Sequence, residues 1–447
     1  MLLLAIFFAL IISLLSSMRW TRVKFLLISP ACLYGIIWGV IWLFHLLDFM
    51  EYLPLSDRAV LYSIIPLLGI FFGEQIGLGW HVRRPFSQKL NLYKISKFIK
   101  ANNYIILFLA IIMLVSVYKL YGAPWEPGIG KIIKAARVQE GASALKGSGL
   151  FGVIQYINLL RGLVYVALII SIPLFYIDRK LSVFCYLSGF TAAALNDLSW
   201  GSRTLVYDAG LFLIIWFFLM SKQRQSKTSR FSFLRMFSKY GLLIGILSTG
   251  IVTAQIITAS THLEKYGKIG DIVLPYGVVQ LIEYNTAPLV TFDQTLDDNP
   301  TTYGLMSFGG VVNWLYMLRI YRGDLFVYEI WQKWEAEYPT YSRYGNGTNV
   351  YTSLRYFYSD FGVLGLFAIP FFTGFFSSIF AKRANLQSND GFFNFCWLAY
   401  CYYIVFRSPI IFPFRVDYIL FSVFIFLFLK IYTKFSLKPQ SKHYMFS

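Results

Sequence analysis

Charged residues are scarce in this chain. Only 14% of its 447 residues are Asp, Glu, Lys or Arg, against about a quarter in soluble domains, whereas 19% are aromatic. The mean hydropathy is +0.58. Apolar residues spread over a chain of this length form repeated apolar segments that face lipid or are buried. This composition excludes a soluble protein with a single core. We predict a protein embedded in a membrane.

Cysteine is also rare, and the four cysteines all lie inside apolar stretches. This placement excludes a disulfide framework and offers no metal-ligand spacing. The sequence has no glycine-rich phosphate loop, nucleophile elbow or HExxH motif. Asp297 and Asp298 are adjacent, and Asp48 and Glu51 are three apart, so both are weak candidates for a metal pair. We expect neither a metal nor a cofactor.

Acidic residues are missing from two basic segments, 83–100 and 222–239, each of which holds six basic residues. Short loops rich in Lys and Arg stay on the cytoplasmic side of a membrane. The net charge of +18 therefore mostly reflects basic residues in the loops on the cytoplasmic side of the membrane. We expect no nucleic-acid partner, because no basic soluble domain exists to bind one.

Apolar runs of roughly 17–25 residues are long enough to span a membrane as helices. Alternating the sides puts a Lys- or Arg-bearing loop at every cytoplasmic connection, with the N-terminus outside and the C-terminus in the cytoplasm. We predict an all-α polytopic membrane protein with about eleven transmembrane helices. The runs lie near 1–17, 25–48, 59–80, 104–121, 150–177, 181–197, 203–221, 241–259, 361–381, 392–411 and 414–433.

This pattern predicts three parts. Residues 1–259 hold the first eight spans with a small outer loop at 122–149, and residues 260–360 form one large outer segment. Residues 361–447 hold the last three spans and a cytoplasmic tail. The outer segment has seven basic and eleven acidic residues, with thirteen Tyr and three Trp. Its aromatic residues suit either sugar rings or a membrane-interface belt.

Arginine recurs on the predicted outer face, where short-loop topology disfavours it. A guanidinium is a planar, always-charged fork that binds phosphate oxygens bidentately, so several forks from separate helix ends would suit a pyrophosphate. The alternative for each is that it snorkels or pairs with a nearby carboxylate. The outer set is Arg137, Arg203, Arg319, Arg322, Arg343, Arg355, Arg407 and Arg415.

Two charged residues lie within predicted spans, Glu74 in the third and Arg161 in the fifth. Charges inside a membrane are costly and therefore suggest a functional role. The other reading is that these two residues pair with one another as a structural bridge.

The most specific feature is the stretch 347–365, GTNVYTSLRYFYSDFGVLG. It resembles the end of the large periplasmic loop in bacterial O-antigen and capsule repeat-unit polymerases of the Wzy type. There an N-x-Y/F-T stretch precedes an aromatic-rich segment and D-x-G-x-x-G. The sequence GSRT, which contains Arg203, resembles the same family's small-residue-plus-arginine signature at the outer end of a span. Arg137 departs from the family, because Ser148 stands where some members have glycine.

The resemblance implies a GT-C-like architecture in the bacterial inner membrane, with the N-terminus periplasmic. Such an enzyme transfers a growing glycan from undecaprenyl pyrophosphate to a new lipid-linked oligosaccharide repeat unit. The implied partners are that lipid-linked oligosaccharide and the membrane lipid, with a polysaccharide chain-length regulator as a further candidate. No cofactor is required, because the leaving group is already activated.

The resemblance also suggests roles for individual residues. Arg203 and Arg355 are expected to bind the pyrophosphate, while Asn349, Tyr351 and Tyr358 are expected to hold sugar hydroxyls. Second-rank candidates for the pyrophosphate are Arg137, Arg319 and Arg415. The sequence does not choose among four candidates for the base that accepts the acceptor's proton, namely Asp360, His262, Asp208 and Glu140.

Two other functions are compatible with this layout. An O-antigen ligase shares the architecture, but the ligases it would resemble carry a histidine near the arginines of the large loop. Here His262 stands at the start of the segment, far from Arg355, which favours the polymerase. A lipid-linked oligosaccharide flippase or other transporter would be expected to have internal repeats and short outer loops. Neither feature is apparent in this sequence.

Overall fold

The computed structural model describes most of the predicted spans and parts of the connections. The residues described are 1–20, 28–80, 89–121, 161–200, 204–220, 280–297, 302–317, 320, 339–344, 352–384, 386–415 and 417–435.

Helices make up nearly all of the regular structure in these ranges. The connections between them add one short 3₁₀ helix, Pro413–Arg415, and two isolated β-bridges. The α-helices are α1 (Leu2–Trp20), α2 (Pro30–Leu46), α3 (Asp57–Gly79), α4 (Leu92–Tyr121), α5 (Arg161–Ile177), α6 (Arg179–Trp200), α7 (Thr204–Met220), α8 (Gln280–Gln294), α9 (Gly309–Met317), α10 (Ser353–Arg383), α11 (Asn389–Arg407) and α12 (Asp417–Phe435).

The predicted apolar runs coincide with helices wherever the structure describes them. Ten runs match α1–α7 and α10–α12, and the run 241–259 lies outside the described residues. Helices α1, α3, α4 and α10 are long and apolar enough to cross a membrane, while α2, α5, α7 and α12 contain shorter apolar helices. The chain is therefore a helical, membrane-embedded protein. The count of eleven spans and the side on which each end lies stay predictions.

Two boundaries differ from the sequence prediction. Helix α4 begins at Leu92, twelve residues before the predicted apolar run at 104–121. Lysine is a good helix former, and Ile95 and Ile99 bury one face of this extension between its lysines. Helix α10 likewise begins at Ser353, eight residues before the predicted span. In both cases an apolar-run criterion missed helical turns that carry polar residues.

Helices α3 and α10 pack closely because glycines line their contact. A Cβ added at Gly69, Gly73 or Gly77 would lie closer than 3.0 Å to the backbone or Ser378 of α10. A Cβ at Gly374 would meet the carbonyl of Ile70 in the same way. Small residues spaced by four allow helix backbones to approach in a membrane, where there is no hydrophobic force between helices.

Helix α10 is kinked at Gly362, whose φ of 59° and ψ of −145° are nearly confined to glycine. A Cβ at Gly365 would collide with the carbonyl of Phe357 in the preceding turns. The kink separates the segment 353–361 from the apolar part of the helix. It therefore falls where the sequence predicts the outer segment to enter the membrane.

Glu74 joins the first three helices. Its carboxylate accepts hydrogen bonds from the Ser16 hydroxyl at 2.6 Å and from the Ala31 N–H at 2.7 Å. Ala31 lies in the first turn of α2, after the N-cap Ser29, where helix N–H groups favour a negative charge. Arg161 is not among these partners of Glu74, so the alternative in which the two residues pair with one another is wrong.

Part of the predicted outer segment is buried. Helix α8 packs against α2 and α3 and buries Ala287, Leu289, Val290 and Phe292. The segment 339–344 pairs with the connection between α2 and α3 through a bridge from Tyr52 to Ser342. The predicted outer segment is therefore anchored to the helix bundle at both places.

Candidate functional site

Several helix ends meet at one end of the bundle, which we call the arginine end because Arg58, Arg355 and Arg407 lie there. Contacts from α2, α3, α7, α8, α10 and α11 converge on it.

Ser408, directly after α11, is the junction of three helices. Its carbonyl accepts from the Ser353 N–H at 3.0 Å, the Ser353 hydroxyl at 2.8 Å and the Thr352 hydroxyl at 3.0 Å. Its own hydroxyl accepts from the Trp38 indole N–H at 3.1 Å. These bonds fix the start of α10 and the side of α2 against the end of α11.

Arg355 lies in the first turn of α10, two residues after Ser353. The residue is only 2% exposed, so its guanidinium does not snorkel into solvent. The N–H groups of a first helical turn carry a partial positive charge that adds to that of the arginine. The N-terminus of α10 therefore carries positive charge at the arginine end.

Arg407 forms a buried ion pair with Asp208 of α7. The Arg407 Nε and the Asp208 Oδ1 lie 3.1 Å apart, with side-chain exposures of 7% and 1%. The angles do not give this contact the alignment of a hydrogen bond. Asp208 Oδ2 accepts from the hydroxyls of Tyr165 at 2.5 Å and Tyr403 at 2.8 Å. For Arg407 the alternative of pairing with a carboxylate is therefore confirmed.

Tyr207 extends this network toward the predicted outer segment. The guanidinium carbon of Arg407 lies 5.4 Å from the centre of the Tyr207 ring, in cation–π contact. The Tyr207 hydroxyl shares a hydrogen bond with the side chain of Asn285 in α8. Tyr207 thus connects the ion pair to α8.

Asp197 is a carboxylate that the sequence analysis missed. It lies near the end of α6, is 1% exposed, and accepts from the Val206 N–H of α7 at 2.8 Å. The first turn of α7 therefore already has an anionic partner. An anionic substrate at this helix start would depend on arginine side chains more than on the helix itself.

Asp360 holds a turn of the predicted outer segment. Its carboxylate accepts from the Thr302 hydroxyl at 2.6 Å, the Met306 N–H at 3.0 Å and the Ser307 N–H at 2.6 Å. The turn contains Tyr303, at a φ of 45° that is unusual for a bulky residue. Both oxygens of Asp360 are engaged, so accepting a substrate proton would require this turn to open.

Tyr358 is packed and hydrogen-bonded within the fold. Its hydroxyl donates to the Leu296 carbonyl at 3.1 Å and accepts from Arg58 at 3.0 Å. Arg58 also contacts Asp297 at 3.3 Å and lies 5.4 Å from the centre of the Tyr62 ring. Arg58 was missed, although it stands at the predicted outer end of a span like the arginines that were chosen.

Asp48 and Glu51 each have a partner in the segment 339–344. Asp48 forms an ion pair with Arg343 at 3.0 Å, and Tyr344 hydrogen-bonds the Glu51 carboxylate. That hydrogen bond raises the pKa of Tyr344. Both carboxylate residues have a φ of 50°, which only a few per cent of non-glycine residues adopt. These two carboxylates therefore anchor the loop to the segment 339–344.

His45 is a buried histidine at the arginine end that the sequence analysis also missed. Its Nε2 lies 3.0 Å from the Thr286 carbonyl of α8, and its ring centre lies 4.1 Å from that of Tyr52. The Tyr52 hydroxyl bonds the Thr286 hydroxyl at 2.6 Å. Burial raises the pKa of Tyr52 to about 12. This group attaches α8 to the end of α2.

Several predicted site residues lie outside the described residues, and their roles stay predictions. Arg415 lies in the 3₁₀ helix Pro413–Arg415, and only its backbone is described. The residues outside are Arg137, Glu140, Arg203, His262, Arg319, Asn349 and Tyr351.

Comparison with protein-family models, with curated proteins and with solved structures gives no match. The functional conclusion therefore depends on the geometry of the arginine end together with the motif resemblance.

Proposed function

We propose that this protein polymerises lipid-linked oligosaccharide repeat units into O-antigen or capsular polysaccharide. It is a glycosyltransferase whose leaving group is undecaprenyl pyrophosphate. It would act at the periplasmic face of the bacterial inner membrane.

The observation that carries this proposal is the location of Arg355. It is buried in the first turn of α10, and the start of that helix is bonded to Ser408 at the end of α11. Arg203 directly precedes α7, and α7 is joined to α11 by the pair of Asp208 with Arg407. The two segments with the arginines chosen from the sequence thus begin at one end of the bundle.

The chemistry needs charge stabilisation more than it needs a covalent intermediate. The oxygen of the acceptor hydroxyl attacks the anomeric carbon of the donor sugar. The bond from that carbon to the pyrophosphate oxygen breaks, and its electron pair leaves with the pyrophosphate. Arg203 and Arg355 stabilise the departing charge, and a base takes the proton of the acceptor hydroxyl. Losing one electrostatic donor in comparable sites costs about 3–4 kcal/mol.

The remaining roles stay assigned as the resemblance suggests. Of the four candidate bases, His262 and Glu140 lie outside the described residues, and Asp208 is paired with Arg407. Asp360 would first have to release the N–H of Ser307. Asn349, Tyr351 and Tyr358 are candidates for sugar contacts. Arg137, Arg319 and Arg415 are second-rank candidates for the pyrophosphate.

Elongation by the purified protein tests the proposal. The protein is incubated with purified lipid-linked repeat unit, with and without a chelator, and the products are separated by length. We expect a ladder of longer lipid-linked glycans under both conditions. An unchanged population of single repeat units would contradict the proposal.

Surface glycan from a deletion strain separates the alternatives. Loss of a polymerase leaves a core that carries a single repeat unit, whereas loss of a ligase leaves a bare core. Loss of a flippase makes repeat units accumulate on the cytoplasmic side. We expect the single-repeat result, with long chains restored by the intact gene.

A further inference from the structure

The ion pair of Asp208 with Arg407 has no role in the chemistry proposed above, although it places two charges inside a membrane-embedded bundle. Residues of α5, α7 and α11 converge on it through Tyr165, Asp208, Tyr403 and Arg407. Removing two charges from water is costly, and charges inside membranes are usually functional. The pair therefore requires an explanation.

Neither member of the pair is available for direct chemistry. Asp208 has Arg407 at one carboxylate oxygen and two tyrosine hydroxyls at the other. Arg407 already has Asp208 at its Nε, and the ring of Tyr207 lies against its guanidinium. The geometry thus disfavours Asp208 as the base and Arg407 as a ligand of the pyrophosphate.

The pair lies between the two segments that carry the proposed pyrophosphate ligands. Ser408, the residue after Arg407, holds the start of α10, and Arg355 lies in the first turn of that helix. Asp208 lies in the second turn of α7, which begins one residue after Arg203. The ion pair is therefore one connection that holds α7 to α11, and through Ser408 to the start of α10.

We propose that Asp208 and Arg407 are positioning residues, which set the relative placement of the starts of α7 and α10. This inference rests on the proposed function for its kinetic consequences. Its structural content is independent of that function: by holding Arg407, the pair fixes the neighbouring Ser408, which binds the start of α10. The two parts are tested by separate measurements.

The first test is a mutant cycle in the elongation assay with Asp208→Asn, Arg407→Gln and the double variant. Each single variant leaves a buried group unmatched and shifts the arginine segments, so we expect kcat to fall about a hundredfold. KM for the lipid-linked unit should stay within about threefold, because the arginines themselves remain. The double variant pairs two neutral amides and should recover to within about tenfold of wild type.

Two outcomes of the mutant cycle would contradict the positioning role. A folded double variant as inactive as the worse single variant would mean that one residue takes part in the chemistry. Single variants with wild-type kcat would also overturn the proposal. The control is Asp390→Asn with Lys430→Gln, because Asp390 lies at the opposite end of α11 in a partly exposed pair with Lys430. That control should leave kcat unchanged.

The second test does not depend on activity. Cysteines introduced as Ser353→Cys and Ser408→Cys should form a disulfide on mild oxidation, because the N–H of residue 353 lies 3.0 Å from the carbonyl of residue 408. We expect Asp208→Asn or Arg407→Gln to lower the disulfide yield about threefold or more, and the double variant to restore it. Equal yields in all backgrounds would overturn the positioning role, even if the protein proved to have another function.

Discussion

The Ser353 hydroxyl donates to the Ser408 carbonyl at 2.8 Å, and the Ser353 N–H donates to the same oxygen at 3.0 Å. Two residues that lie 55 positions apart thus bring the motif-bearing start of α10 to the end of α11. The consequence is that Arg355 is positioned by contacts made outside its own motif.

Removing the hydroxyls at this junction should weaken it measurably. The variant Thr352→Val with Ser353→Ala removes two donors to the Ser408 carbonyl but keeps the Ser353 N–H. It also removes the Thr352 hydroxyl that caps α10 by accepting from the Leu354 N–H. We expect the free energy of unfolding in detergent to fall by about 3 kcal/mol, at about 1 kcal/mol for each of the three hydrogen bonds. Thr373→Val is the control, because its hydroxyl bonds only the Ile369 carbonyl of its own helix at 3.2 Å. Equal losses for both variants would contradict the importance of the junction.

The substitution Gly73→Ala should push α3 and α10 apart where they pack together. Its Cβ would meet the carbonyl of Phe371 and the N–H of Phe375 closer than 3.0 Å, and neither backbone can yield easily. We expect a loss of about 1–3 kcal/mol in the free energy of unfolding from overpacking. The matched control is Gly39→Ala in α2, where nothing lies within 4 Å of the added Cβ. That control should be neutral or stabilising by up to about 1 kcal/mol.

Gly362 tests whether the kink of α10 matters. Alanine is strained at its φ of 59° and ψ of −145°, so Gly362→Ala should cost about 1–3 kcal/mol or straighten the helix. Straightening would pull Asp360 away from Met306 and Ser307, and hydrogen exchange of the segment 302–308 would then accelerate. Unchanged stability together with unchanged exchange would show that the kink is not required.

Asp360→Asn separates an anchoring role from a chemical one. The amide keeps one acceptor but loses the charge that Ser307 and Met306 N–H groups bind, so we expect faster hydrogen exchange across 302–308. Hydrogen bonds to charged groups contribute about 1.5–3 kcal/mol each. Losing one should therefore speed hydrogen exchange about tenfold or more relative to wild type. Asp297→Asn, with its side chain 98% exposed, is the control. Full elongation activity in a folded Asp360→Asn protein would exclude Asp360 as the base.

Ten of the described helices were well predicted because each coincides with a long apolar run, a signal that depends only on neighbouring residues. Helix α4 shows the limit of that signal. Its first turns alternate lysines with Ile95 and Ile99, so mean hydropathy falls although one face is still buried. The glycines at 69, 73 and 77 lie at four-residue spacing in the sequence, but their partner helix is nearly 300 residues away and could not be named from it.

The site was less predictable, because its contacts join distant parts of the chain. Asp208 was a candidate base from the sequence, yet Tyr403 and Arg407 lie almost 200 residues beyond it. Nothing local indicates that pairing. Arg58 and Asp197, by contrast, could have been found from their places at the predicted ends of spans. Tyr358 was chosen because it lies in the stretch 347–365 that resembles the polymerases, while its hydrogen bonds to Arg58 and Leu296 depend on the fold.

The most direct test of the proposed pyrophosphate site is elongation of lipid-linked repeat units by Arg203→Ala, Arg355→Ala and Arg383→Ala proteins. Arg383 is the matched control, because it is an exposed arginine at the other end of the same helix as Arg355. We predict that the first two variants insert into the membrane normally but elongate about a hundredfold or more slowly, and that Arg383→Ala behaves as wild type. Wild-type ladders from both Arg203→Ala and Arg355→Ala would contradict the assignment of the pyrophosphate to these arginines.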